Sequence, residues 1–408
     1  MLALAVAAVL AAGCVAGVGL ADRESTATHT AQSTEALYAD VQDLAYNLAD
    51  ANATAATALL VGAETPVQFS ERFNDDVTQA EDLLAAASQR VAGDAYASRL
   101  LSELAEQIPA YTGLVGQAQT DNRFGYPVAG AYLRDASALV TGPMLNETGE
   151  VIAEQQRATS SGIGSAASFD VVLLVVVLVA LVALVLISRR LAGLTHRRIN
   201  PGLIGGMLML LALFGWSLAA YGGASGRADV AQTDFTDLSQ AQTEISQLSL
   251  AETYVALQQI DRGEDQGADA KAANAALKAA QPESGSYSSA AAQGVRAAQS
   301  HFQAFSTCSQ HAITLAGGGD FSAAVAATVG SGSGKVAVGG GGCEPDAASL
   351  HSELSNVFDA ARSRFDQDMS GLSGDYAGSG ALPLGIAAGL LGAAAAAYGV
   401  NRRLAEFR

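Results

Sequence analysis

Side chains that could do chemistry are few in this sequence and far apart. The five histidines are His29, His196, His301, His311 and His351. The closest pair, His301 and His311, is ten residues apart, whereas two ligands on one helical face sit about three or four apart. No metal site is expected at that spacing. Serine is abundant, but no Gly-x-Ser-x-Gly elbow presents a nucleophile. The run Gly330-Ser331-Gly332-Ser333-Gly334-Lys335 looks like a phosphate loop, but it is one residue short, and Val336 stands where a hydroxyl is needed. It reads as a flexible loop. The acids, 40 against 22 Lys and Arg, give a net charge of −18. That balance argues against nucleic acid as a partner, because phosphate binding needs a basic face. The carboxylates read as solvated helix faces. With no catalytic constellation and no implied cofactor, the chain reads as a non-enzyme.

Two other sets of residues are informative. Cys308 and Cys343 flank the glycine-rich stretch 316–342. In an oxidising compartment they are expected to pair. In the chain-entropy account, closing a loop of about 35 residues stabilises by roughly 3–4 kcal/mol. Cys14 lies in an apolar run and is expected to be inert. The second set is basic. Arg189, Arg190, Arg197, Arg198, Arg402, Arg403 and Arg408 crowd into two short stretches, with Glu406 the one acid among them. The two long polar segments then carry a balance of −24.

These residues must be positioned by membrane helices. Four apolar runs, Leu2–Ala21, Val171–Ser188, Leu203–Gly222 and Ala381–Val400, are nearly free of charge. Each is long enough to cross a hydrocarbon core of about 30 Å. The positive-inside rule puts the arginine stretches in the cytoplasm and both long segments outside the cell membrane. The predicted order is helix 1–21, outer domain 22–169, helix 170–188, inner loop 189–201, helix 202–222, outer domain 223–380, helix 381–400 and tail 401–408. For the first run, the alternatives to a retained helix are a cleaved signal peptide and a lipoprotein anchor at Cys14. A start of the true helix upstream of Met1 is a further reading. No Asp, Glu, Lys or Arg sits mid-run, so no transport path is expected. Gly13 and Gly17, Gly202 and Gly206, and Gly385 and Gly389 have the spacing that lets membrane helices approach closely.

Both outer domains are predicted to be all-helical bundles. Phe69, Phe73, Val77, Ala80, Leu84, Ala87 and Val91 recur at helical spacing, as do Leu101, Leu104, Ile108, Tyr111 and Val115. Expected helices in the first domain are 22–62, 67–92, 94–120 and 127–168. In the second domain they are 226–262, 268–280 and 286–316, followed by one carrying Leu350, Leu354, Val357, Ala361, Phe365, Met369 and Leu372. Residues 43–62 align without a gap on 244–263, so an internal duplication is expected. The sequence itself marks no small-molecule pocket.

The inner loop Arg197-Arg198-Ile199-Asn200-Pro201 and the closing Asn401-Arg402-Arg403-Leu404-Ala405-Glu406-Phe407-Arg408, with the order of elements, resemble the actinobacterial GlnX family. That resemblance implies a four-helix membrane transducer of amino-acid availability. Its implied partners are an extracytoplasmic solute-binding lipoprotein of the GlnH type and a cytoplasmic serine/threonine kinase, protein kinase G. The family's basic segment before the first helix is not present here. Two membrane helices around an outer four-helix bundle is also the plan of a chemoreceptor protomer, here written twice. The expected function is a non-enzymatic signal transducer in contact with lipid. Its output would pass through Arg189, Arg190, Arg197, Arg198, Arg402 and Arg403. An envelope scaffold and a direct small-molecule sensor are the alternatives.

Overall fold

In a computed structural model the described residues are 2–62, 67–91, 93–168, 171–195, 201–262, 267–330, 342–376 and 381–405. Every regular element among them is helical: α1 Leu2–His29, α2 Ala36–Val61, α3 Val67–Arg90, α4 Ala95–Arg123, α5 Ala129–Leu139, α6 Leu145–Ala167, α7 Val171–Thr195, α8 Pro201–Asp261, α9 Ala268–Ala279, α10 Ala292–Gly317, α11 Phe321–Val329, α12 Glu344–Asp375 and α13 Ala381–Ala405. Wide π-helical turns, Thr30–Glu35 and Val140–Met144, join α1 to α2 and α5 to α6. The second contains Pro143, which cannot donate an amide hydrogen bond, so the helix widens there rather than stopping. In the first long segment, helix positions match the hydrophobic periodicity to within a few residues. In the second, α11 occupies part of the stretch read as a glycine-rich loop; Asp320 caps it by accepting from the Ala323 amide at 3.1 Å. Residues 331–335 of the loop-like motif lie outside the described residues.

The chain divides into two compact units. One contains residues 33–157 and 233–364. The two long segments, read from sequence as separate domains, therefore contribute to one unit. The physical reason lies in α2 and the second half of α8. α2 buries residues on all its faces, Asp50 and Asn52 included, and a helix buried all round needs neighbours on every side. Its own segment covers part of it, and α8 covers more, with His351 of α12 stacked on Tyr46. Tyr38 packs on Phe235 with centroids 5.1 Å apart. Gln242 donates to Asp43 at 3.2 Å, and Asn52 donates to Thr253 at 3.5 Å. The contacts advance together along both helices, so α2 and α8 run parallel here. Their mates pack through the predicted stripes: Phe69, Ala80, Leu84 and Ala87 on α3, Leu101 to Val115 on α4, and Leu350 and Leu354 on α12 are all buried.

The other unit contains residues 1–32, 158–232 and 365–408. Its core is narrow and its outside is apolar. On α7, Val177, Ala180, Leu184 and Ile187 are buried, while Val171, Leu178, Val182 and Leu186 are exposed. α1 and α13 approach closely through glycine. A Cβ on Gly13 would stand 2.7 Å from the Gly385 carbonyl oxygen, and one on Gly385 would stand 2.6 Å from the Gly17 Cα. Gly206 on α8 is buried, while the surroundings of Gly202 lie outside the described residues. Tyr376 packs edge-on to Tyr221 and donates to the Ala166 carbonyl. Among the described residues, one helical stretch, Ile204–Asp261, is long and apolar enough to cross a membrane, and Gly385–Ala395 is a shorter apolar one.

Candidate functional site

The unit built from both long segments holds a small cleft of about 40 Å³. α2 supplies Ala53, Thr54 and Thr57, and α3 supplies Phe69 and Arg72. Across from them stand Glu252 and Val255 of α8, with Phe305 and Ser309 of α10. Thr328, Cys343 and Glu344 complete the lining. Polar and charged side chains thus make up most of the lining, with Phe69, Val255 and Phe305 as its larger apolar part.

The wall carrying Thr328 and Cys343 is fixed by covalent and hydrogen bonds. Cys308 and Cys343 form a disulfide, with Cα atoms 5.5 Å apart. The Cys343 amide donates to the Thr328 carbonyl at 3.1 Å, and Gln259 donates to the Thr328 hydroxyl at 2.7 Å. Gly342 makes this closure possible. Its φ is +105°, and a Cβ there would lie 2.6 Å from the Thr328 carbonyl oxygen. The disulfide joins α10 to the start of α12 across α11.

A charged cluster lies behind the cleft. Arg72 donates to both Asp50 oxygens, at 2.9 and 3.0 Å through one nitrogen and 3.2 Å through Nε. Asp76 sits beside this pair, and burial, then the Asp50 charge, push its carboxyl up to about 8. It therefore holds its proton at neutral pH. Tyr46 stacks on His351 with centroids 4.8 Å apart and shares a 3.2 Å hydrogen bond with its Nε2; burial lowers the imidazole pKa. Glu252 differs from Asp50. It has no hydrogen-bond or ion-pair partner among the described residues, and burial pushes its carboxyl up to about 8, with the Asp50 charge adding to the effect. Glu344 is also raised by burial, against the pull of Arg72. The Ser309 hydroxyl, in a residue 1% exposed, is likewise without a partner.

Several acids of this unit depart from the reading as solvated faces, while others such as Glu71, Glu81 and Asp82 are exposed. Asp50, Asp234, Asp237, Glu35, Glu244 and Asp261 are all buried. Several meet arginine: Arg364 reaches Asp234 at 2.7 Å, Arg134 reaches Asp261 at 3.2 Å, and Arg362 reaches Glu35 at 3.5 Å. Sequence reasoning did not find Arg72, Glu252 or Ser309. One signal was available, since Asp50 and Asn52 interrupt a run of small apolar residues, 45–58, and a polar group there must be buried. The partners come from other segments, and nothing local marks them.

The predicted arginines are not among the described residues that line the cleft. Arg189 and Arg190 are exposed on α7. Arg197 and Arg198 lie outside the described residues. Arg402 and Arg403 fall in α13, and the surroundings of their side chains lie outside the described residues. Among the described residues no group of His, Cys, Asp and Glu could hold a metal ion.

Residues 26–163 match the family model of the actinobacterial sensor domain. The match spans most of the first long segment, including α2, α3 and the Asp50–Arg72 pair. It supports a sensor protein of actinobacterial type, with a role in sensing and signalling. No curated protein and no solved structure matches the chain.

Proposed function

We propose that this protein is a non-enzymatic transmembrane signal transducer with four membrane helices and both long segments outside the cell. The observation that carries this reading is the sensor-domain match on a segment that folds with its distant counterpart around a cleft. The apolar exterior of the other unit suits lipid, since a water-exposed domain rarely presents so much Val and Leu. The glycine contact between α1 and α13 is the packing expected of helices in a bilayer. α8 is one unbroken helix from Pro201 to Asp261, an element of the kind that carries a signal by a small shift. The reading extends to a covalently joined sensor pair. Asn52 meets Thr253, the residue 201 positions later, as two copies of one helix do across a twofold axis.

In its finer form, a solute-binding lipoprotein docks outside and a serine/threonine kinase receives the signal inside. Phe124, Tyr126 and Val128 are exposed on the α4–α5 connection, and aromatic anchors of this kind favour a protein partner. The arginine stretches supply the inner contact. Cross-linking in native membranes followed by mass spectrometry tests the relay. It should recover a binding protein on the outer segments and a kinase on residues 189–201 or 401–408. Replacing Arg197, Arg198, Arg402 and Arg403 by alanine should abolish signalling while reporter fusions keep the same topology. Recovery of envelope enzymes alone would favour the scaffold reading. The cleft is the observation that favours direct small-molecule sensing.

A further inference from the structure

The cleft has acceptors without donors. Glu252 has no hydrogen-bond or ion-pair partner among the described residues, and the Ser309 hydroxyl is buried and unsatisfied. Glu344 opens onto the same space, with Thr54 and Thr57. The one cation lining the cleft, Arg72, already spends three contacts on Asp50. Buried polar groups in folded proteins are almost always paired, and the Arg72 charge that pulls on Glu252 and Glu344 is already bonded to Asp50. The missing partner is a cation with several N–H donors. Phe69 and Phe305 on the walls suit it further, because ring faces attract ammonium groups.

We propose that this cleft binds a small molecule bearing a primary ammonium group, held by the Glu252 and Glu344 carboxylates and the Ser309 hydroxyl. The three ammonium hydrogens satisfy three acceptors, and the alkyl portion lies against Phe69, Phe305 and Val255. Because α2 and α3 face α8, α10 and α12 across it, the ligand draws the two long segments together. The inference goes beyond the transducer reading and does not need the kinase relay.

Proton linkage gives the site a signature. Glu252 is faced by Asp50 and Tyr46 from α2, Arg72 from α3 and Glu344 from α12. It must release its proton to hold the cation, so binding strengthens as pH rises towards the Glu252 pKa of about 8. The test is calorimetry on the full chain in lipid nanodiscs. The probes are butylamine and 1,4-diaminobutane, with 1-butanol and butyrate as controls. Both amines should bind and both controls should not. Affinity should rise by up to about tenfold per pH unit between about pH 6 and 7.5, with protons released to the buffer. Glu252→Gln should weaken amine binding at least about tenfold, and Ser309→Ala about threefold, with melting curves showing both variants folded. Folded wild-type protein that gives no heat with either amine overturns the proposal. So does a Glu252→Gln variant that binds as well as wild type, or a preference for butyrate. Any of these leaves the topology and relay experiments unaffected, and their failure leaves amine binding intact.

Discussion

Buried carboxyls dominate the behaviour of individual residues. Burial raises Asp43 to about 6, Glu244 to about 7, and Asp76 and Glu252 to about 8. In the unfolded chain such groups titrate near about 4. Between those values the folded protein keeps protons that the unfolded chain has lost. Their contribution to stability is therefore complete below the unfolded pKa and disappears as pH rises through 6 to 8. Scanning calorimetry from about pH 5 to pH 9 should show a falling melting temperature, and Glu252→Gln should flatten the fall. Asn52 makes a second residue-scale case. It accepts from Ser137 at 3.0 Å and donates to Thr253 at 3.5 Å, all three side chains being buried. Asn52→Ala strands both hydroxyls and should cost about 1–3 kcal/mol in denaturant unfolding.

Among the elements, α11 and the α1–α13 pair depend on covalent closure and on the absence of side chains. The Cys308–Cys343 bond holds the wall formed by α11 and the start of α12. Replacing both cysteines by serine should lower stability by about 3–4 kcal/mol, measured as a loss of melting temperature that reductant reproduces in the wild type. Gly342→Ala should destabilise the same wall, since alanine must adopt φ +105° against the Thr328 backbone. In the other unit, Gly13→Leu places a side chain where a Cβ alone already stands 2.7 Å from the Gly385 oxygen and from the Gly389 Cα. The helices must separate. Oxidative cross-linking of a Val9→Cys, Gly392→Cys pair should proceed in the parent and fail when Gly13→Leu is added. Helix existence was legible at this scale, because stripes such as Leu350, Leu354 and Val357 repeat every three or four residues. α11 escaped notice because nine residues, beside a glycine-rich run, give too few repeats to register.

At the scale of the whole molecule, each long segment builds a core of its own and the two join in one compact unit. On the proposed duplication, α2 and α8 are counterparts, and they lie side by side at Asn52 and Thr253. The counterparts are not chemically equal. At the 201-residue offset, Asp50 pairs with Ala251, Arg72 with Ala273 and Glu252 with Ala51. The charged cleft is consequently built once. On that proposal, joining two copies in one chain permits this asymmetry, which an isologous pair of identical chains does not. One ligand per chain follows, and titration calorimetry with 1,4-diaminobutane should give a stoichiometry near one.

The sequence by itself determined the helical class, the apolar runs, the packing stripes and the basic stretches. Each is a local property, set by the period of the helix or by composition along a short window. The glycine spacings and the two outer cysteines were visible for the same reason. Only the tertiary structure decided that Gly13 faces Gly385, that Arg72 and Glu252 line one cleft, and that the long segments share a unit. Burial of a charge depends on residues some 200 positions away in the chain, and helical periodicity carries no information about which faces will meet.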